Sequence, residues 1–494
     1  MTRPPFARVL VANRGEIAVR VMRTLQLRGV SAVAVYHRAD AGSPHVAMAD
    51  QAVELVGSGP VAAYLDSAQI IAAALATGAE AIHPGYGFLS ENAAFAQSVA
   101  DAGLTFIGPD AATIALMGDK LSARAFAQAH GVPVAPSVAF DGDFAAFETA
   151  VAAVGYPMLI KAAAGGGGKG MSIVREAAAL RETVRVAASE ATRYFGDGRV
   201  YAEVLVEQPR HIEVQVVGDG AGAALHLFER ECSVQRRFQK IVEEAPAANL
   251  AEDLRAAMCA DAVRLASASR YRNVGTVEFI LGADGRYFFL EMNTRLQVEH
   301  PVTEMITGLD LVSLQLDIAA GAGLPFGQAD VVATGHAIEC RICAEAPDRG
   351  FVPATGAIRH LTVPRAPWLR FESALREGQA VTADFDPMLA KLVVHGATRA
   401  QAIDRAGAAL ADLAVLGLDT NVDSLARVIA HPAFTGGALH TGFLTEHADA
   451  LAAPAMDDAA QAAFLIAAAL GNHDFRQLVD AVPEPYASLG GWRN

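Results

Sequence analysis

Residues 289–300 read FLEMNTRLQVEH. The odd positions are Glu291, Asn293, Arg295, Gln297 and Glu299, and the even ones are Leu290, Met292, Thr294, Leu296 and Val298. Successive side chains of a strand point to opposite faces, so this run predicts a strand with one polar and one largely apolar face. A half-buried strand with a solvated face would also alternate, but it usually carries mixed Thr, Lys, Ser and Glu. Two carboxylates, two amides and a guanidinium in strict alternation point instead to a metal and oxyanion site. Glu291 and Asn293 offer hard oxygens suited to Mg²⁺, which binds through a few carboxylates plus substrate phosphates. Arg295 is a planar fork for a small carboxylate-like anion, and Glu299 is a candidate general base.

Just upstream, VGTVEFIL at 274–281 reads as a second strand, joined to the first through the turn Ala283, Asp284, Gly285. Hairpin pairing would set Glu278 beside Glu291. Like charges so placed are destabilising unless a cation lies between them, which argues locally for a metal.

Further upstream, PMLIKAA at 157–163 and MSIVR at 171–175 read as strands flanking AGGGGKG at 164–170. An ordinary hairpin turn needs two or three residues, and a flexible linker seldom separates consecutive strands. Such a loop suits a lid whose backbone N–H groups close over phosphate oxygens. It is not a P-loop, because no Gly-Lys-Ser/Thr follows at the required spacing. Between this loop and the hairpin lie YAEVLVE with Glu203, RHIEVQVVG with His211, Glu213 and Gln215 on one face, and the basic cluster Gln235, Arg236, Arg237, Lys240. A solvated turn is the plain alternative for that cluster.

Residues 7–110 alternate apolar strands (ARVLVAN, SAVAVYH, AEAIH, LTFIG) with helical stretches, one stopping at Gly29 and one over 70–77. That alternation predicts a parallel α/β domain. Arg14-Gly15-Glu16 lacks the spaced glycines of a dinucleotide fingerprint and reads as a structural turn or a lid for another domain.

Bulk properties frame these motifs. A chain of 494 residues with 52% hydrophobic and 19% charged residues is globular and long enough for about three domains. A net charge of −15 argues against nucleic acid as partner. Only five of the 39 basic residues are lysines: Lys120, Lys161, Lys169, Lys240 and Lys391. In an arginine-rich background, surviving lysines mark places where a compact ammonium is needed. Cys340 and Cys343 lack a second pair and fall in an extended run, so all four cysteines, with Cys232 and Cys259, read as buried structural thiols. No leader pattern or membrane-length apolar run occurs, and a cytoplasmic location is the expectation.

Taken together, ANRGEIAVR, HPGYGFLSEN, MGDK, IKAAAGGGGKG, RHIEVQV, ERECSVQRR, QKIVEEAP, EMNTRLQVEHPVTE, GHAIECRI and FDPMLAKL give a chain that resembles biotin carboxylase, an ATP-grasp enzyme, over residues 6–447. FDPMLAKL and the GGWRN ending look like acyl-CoA carboxylase α-subunits of the methylcrotonyl, propionyl or geranyl type. The resemblance implies a multidomain α/β fold. Its parts are an N-terminal parallel α/β domain (1–117), an ATP-grasp domain (118–325, lid about 135–205) and a C-terminal α+β domain (326–447), with a helical tail (448–494) leading to downstream domains.

It also implies a reaction: ATP and bicarbonate form carboxyphosphate, which carboxylates N1 of biotin. By resemblance, Lys120, Lys161, Gly167 and Gly168 hold ATP phosphates, while Glu203, Val204, Leu205, Val206, His211, Gln235 and Phe238 line the nucleotide pocket. Glu278 and Glu291 with Asn293 hold Mg²⁺ or Mn²⁺. Lys240, Arg295, Gln297, Arg341 and the Val298 backbone take bicarbonate. Glu299 is the base, and Arg341 stabilises the biotin enolate. Phe238 replaces an expected His or other polar residue at the ribose, which predicts weaker or altered nucleotide binding, and Ala164 replaces a glycine of the lid. No Met-Lys-Met run exists for attaching biotin, so carboxybiotin is expected on a separate carrier protein or on a further domain of a larger chain. A carboxyltransferase subunit and a homodimer or larger complex complete the expected partners. The alternatives are another ATP-grasp C–N ligase working through an acyl phosphate, which the GHAIECRI segment disfavours, and a non-catalytic carboxylase subunit, which need not keep so many costly charges.

Overall fold

The strand Arg8–Val11 (β1) is apolar on both faces, as expected of a strand buried in a parallel sheet. It lies at the centre of five parallel strands with Ser31–Tyr36 (β2), Gln51–Glu54 (β3), Ala81–His83 (β4) and Thr105–Phe106 (β5), in the order β3-β2-β1-β4-β5. The helix Gly15–Leu27 leaves β1 and closes at Gly29, whose φ of +69° is the left-handed conformation that glycine supplies at a helix end. The helix read over 70–77 begins earlier, at Ser67, because Asp66 caps the amide of Gln69. The computed structural model describes residues 5–163, 171–454 and 457–471. The chain divides into the units Met1–Leu451 and Ala452–Asn494. Of the second, the helix Asp458–Gly471 is described.

Four strands, Ser137–Ala139 (β6), Met158–Ala162 (β7), Ser172–Val174 (β8) and Val200–Val204 (β9), form their own antiparallel sheet in the order β6-β9-β7-β8. It is backed by its own core of Phe147, Val151, Ile160 and Leu180. The glycine-rich segment 164–170, with Ala164, Gly167, Gly168 and Lys169, lies outside the described residues, as does the GGWRN ending.

The largest sheet is made of Arg210–Asp219 (β10), Ala224–Arg236 (β11), Gln239–Ala245 (β12), Arg272–Leu281 (β13), Tyr287–Asn293 (β14), His336–Cys343 (β15), Leu369–Ser373 (β16) and Met388–Gly396 (β17). Their order is β14-β13-β10-β11-β12-β15-β17-β16, and every pairing is antiparallel. The sheet therefore runs unbroken past residue 325. The β13–β14 hairpin closes through Gly285 at φ +80°, where its amide donates to Gly282.

One expectation is corrected here. The strand read over 289–300 ends at Asn293, opposite Thr276. Beyond it the chain leaves the sheet edge, the Thr294 amide donates to Glu91, and the helix His300–Thr307 starts with Pro301 in its first turn. Proline fixes helical φ and lacks an amide proton, so it suits a helix start and not a ladder. The Arg14-Gly15-Glu16 turn is structural. Arg14 forks onto Asp40 at 2.8 and 2.7 Å and covers the Phe385 ring, while buried Glu16 stands 3.4 Å from Lys391 on β17. All four cysteines are buried and unpaired. Among the described residues, no helix is long and apolar enough to cross a membrane.

Candidate functional site

Three glutamates stand in a row across neighbouring strands: Glu213 on β10 pairs with Glu278 on β13, which pairs with Glu291 on β14. The predicted neighbours Glu278 and Glu291 are thus in register. Each has a cation from the protein. Lys120, at the start of the helix Lys120–Ala129, reaches Glu291 at 2.5 Å. Lys240 on β12 reaches Glu213 at 2.5 Å and Glu278 at 2.8 Å. The repulsion that argued for a metal is therefore met first by two ammonium groups.

Lys240 also stands 2.7 Å from Oε1 of Glu299, and Nη2 of Arg341 donates to the other oxygen, Oε2, at 2.9 Å. Burial alone would push the Glu299 carboxyl up, but Lys240, Arg341 and Arg230 outweigh it and hold the group well below the usual carboxylate range. Burial would likewise lower the Lys240 ammonium, and its glutamates instead raise it well above normal. Glu278 accepts at one oxygen from Asn293 at 2.9 Å and from Gln297 at 3.3 Å, and His211 stands 3.1 Å from the other. Gln235 lies behind His211, 3.1 Å from its Nδ1. Arg295 forks across Glu91, Gln297 and Asn293 at 2.8–2.9 Å. Despite the early end of β14, residues 291–299 therefore deliver their polar groups to one place. The Val298 carbonyl is held by Lys391 at 2.8 Å, from 93 residues further along the chain.

A second constellation lies on the smaller sheet. Glu203 on β9 is buried between Arg124 and Lys161, each in direct ion contact with it. The Val204 and Leu205 amides donate to Pro136 and Pro157, which ties down the segment continuing to Val206. Phe238 stands at a turn. It is 55% exposed, and with Arg237 it forms the two-residue turn joining β11 to β12, both at positive φ (+66° and +49°). Two successive residues at positive φ between paired strands describe a type I′ turn.

Glu278, Glu291 and Asn293 put two carboxylates and one amide oxygen on one face of the hairpin. With phosphate oxygens completing the shell, this hard donor set fits a divalent ion of the magnesium class. Reading the sequence missed Arg230. Its guanidinium, fully buried, serves Glu213, Gln215, Thr303 and Thr276 at 2.5–3.1 Å and so fixes the glutamate that holds Lys240. The run ERECSVQRR contains it, and three successive charges, Glu229, Arg230 and Glu231, within a strand were the available signal.

Three family models match the chain. They are "Biotin carboxylase, N-terminal domain" over residues 5–114, "Carbamoyl-phosphate synthase L chain, ATP binding domain" over 119–326, and "Biotin carboxylase C-terminal domain" over 339–446. The biotin carboxylase of Halalkalibacterium halodurans is 49% identical over 446 residues, covering 90% of this chain and 98% of that protein. The mitochondrial methylcrotonoyl-CoA carboxylase subunit alpha of Dictyostelium discoideum is 46% identical over 99% of this chain, which spans 70% of it. Of the Glycine max counterpart the chain spans 61%, at 48% identity. Among solved structures, the biotin carboxylase domain dimer of Hydrogenobacter thermophilus 2-oxoglutarate carboxylase, in complex with MgADP, ADP and bicarbonate, superposes with a TM-score of 0.89. It is 42% identical, and the match covers 91% of this chain and 99% of that one.

Proposed function

Because the chain belongs to the biotin carboxylase family, we propose that it uses ATP to join bicarbonate to N1 of biotin. The observation that carries this reading is the Lys240–Glu299–Arg341 cluster: one carboxylate bracketed by two cations beside a row of glutamates. Lys120 and Lys161 take the ATP phosphates, with Gly167 and Gly168 of the lid, while Glu203, Val204, Leu205, Val206, His211, Gln235 and Phe238 surround the nucleoside. Glu278, Glu291 and Asn293 hold Mg²⁺ or Mn²⁺, which when bound draws charge off the phosphate oxygens.

Bicarbonate is an anion, and it competes with Glu299 for the same cations. As Lys240 and Arg341 turn to it, with Arg295, Gln297 and the Val298 backbone, Glu299 loses the partners that hold its proton affinity down. Its affinity for a proton rises as the substrate arrives, which makes it a base when one is needed. It takes the bicarbonate proton, and the freed oxygen attacks the terminal phosphoryl group of ATP to give ADP and carboxyphosphate. Biotin N1 gives up its proton to the departing phosphate and takes up the carboxyl group. Arg341, a fixed guanidinium, meets the developing oxyanion of biotin.

Domain roles follow the boundaries 1–117, 118–325 and 326–447, with the lid at about 135–205 having a sheet and core of its own. The biotin is carried on a separate protein or a further domain, and a carboxyltransferase passes the carboxyl group to an acyl-CoA. The test is ATP hydrolysis by the purified chain with Mg²⁺, with and without bicarbonate and free biotin. Hydrolysis that requires bicarbonate and rises with biotin supports the reading. Bicarbonate dependence indifferent to biotin would move it to another acyl-phosphate ligase, and no turnover despite bound ATP would leave a non-catalytic subunit.

A further inference from the structure

Glu243 on β12 and Glu339 on β15 are register partners, and both side chains are fully buried. Directly opposed residues of antiparallel strands have Cβ atoms about 4.5–5.5 Å apart on one face of the sheet, so two carboxylates share one small space away from water. Oε1 of Glu243 accepts from Nε of Arg341 at 2.5 Å. Its Oε2 and both oxygens of Glu339 have no hydrogen-bond partner among the described residues.

The charged groups facing the pair are few. Arg341 lies on β15, Lys391 on β17, Lys240 on β12, and Glu299 just ahead of the helix His300–Thr307. Lys391 gives a hydrogen bond to the Val298 carbonyl and stands 3.4 Å from Glu16, so it is not dedicated to Glu339. Two buried carboxylates this close do not both ionise, because lost hydration and mutual repulsion keep a proton on one of them. Burial pushes Glu243 up to about 7 and Glu339 well above the usual range, against the pull of Arg341 on the first and Lys391 on the second.

Arg341 connects this pair to the reacting centre, since it donates both to Glu243 and to Glu299. When the pair carries one negative charge, Arg341 is shared. When the pair loses its last proton, a second charge draws the guanidinium away from Glu299 and repels the Glu299 carboxylate. We propose that Glu243 and Glu339 share one proton at neutral pH and act as positioning residues, setting through Arg341 the proton affinity of Glu299. The role given to Glu299 rests on the function proposed above. The shared proton itself does not.

The variant to compare is Glu339→Gln, which keeps the shape and leaves a single carboxyl that cannot be doubly charged. Bicarbonate-dependent ATP hydrolysis is followed against pH in both proteins. In parallel, infrared spectra in H₂O and D₂O read the carbonyl band of a buried carboxylic acid. The wild type is expected to show such a band at neutral pH, losing it as pH rises in step with a change in rate. Glu339→Gln is expected to lack that band and to move the alkaline limb of the profile by about one pH unit or more. Superimposable profiles with an unchanged infrared difference would overturn the proposal. If Glu339→Gln does not fold, Glu243→Gln takes its place in the comparison, and absence of the wild-type band at neutral pH overturns the proposal. A wild type that shows the band yet no bicarbonate-dependent turnover would sink the functional reading and leave the shared proton standing.

Discussion

The ammonium of Lys240 meets the carboxylate of Glu299 at 2.7 Å, while Arg341 occupies the other oxygen at 2.9 Å. A carboxylate held between two cations is a poor base until something displaces them, and the anionic substrate is the natural displacer. Glu299→Gln keeps the size and a hydrogen-bond acceptor but cannot take the proton. Bicarbonate-dependent ADP release is expected to fall about 10²–10⁴-fold, with ATP affinity by calorimetry changing little. A rate within a factor of a few of wild type would remove Glu299 from the role of base.

Arg230 is fully buried, and its removal would leave Oε1 of the equally buried Glu213 without its cation, with Lys240 remaining on Oε2. Breaking a buried pair from one side costs about 3–5 kcal/mol. Arg230→Met is expected to lose about that much in chemical denaturation. Adding Glu213→Leu, which removes the stranded charge, is expected to recover part of the loss. A double variant no more stable than the single one would show that Arg230 acts by packing and not by charge.

Much of this site could be read before its geometry was known, and the reasons are local. Strand alternation and a short turn set Glu278 beside Glu291, and both depend on residues close in sequence. Alternation misled at 294–299, because the polar pattern continues after the ladder stops, and Pro301 was the sign that a helix follows. Lysine scarcity marked Lys391 without giving it a task. Its ammonium reaches Val298, 93 residues away, and Glu16 in the first sheet's helix. Contacts that span three regions leave no periodicity. The Glu243–Glu339 pair was hidden for the same reason, since strand order decides which strands become neighbours.

Phe238 occupies a left-handed turn position with its ring 55% exposed, so it buries little to offset its backbone conformation. A left-handed conformation costs a non-glycine residue about 1–2 kcal/mol, and glycine gives part of that back through its larger unfolded-state entropy. Phe238→Gly is expected to stabilise the chain by up to about 1 kcal/mol in urea unfolding. Phe238→His tests the proposed nucleotide contact separately, with tighter ATP binding as the expected result. Destabilisation by the glycine would mean that the ring packs against something in solution.

The buried pair also gives a pH dependence of stability whose sign is opposite to that of Glu278 and Glu299. Glu243 is raised from 4.5 to about 7, so between those values the folded chain keeps a proton that the unfolded chain has released. Stability from this group is full below the unfolded value and is lost as pH rises through the folded one. Glu278 and Glu299 are lowered by Lys240 and their other partners, so their contribution is present above 4.5 and is lost on acidification. Glu339→Gln removes one member of the raised pair and leaves the lowered ones in place. Its unfolding free energy relative to wild type, read by urea denaturation, is therefore expected to climb between about pH 5 and about pH 8, by up to about 1.4 kcal/mol for each pH unit in which one proton is at stake. A difference that stays flat across that window would mean that the folded pair binds no more protons than the unfolded chain, with both carboxyls ionised throughout it.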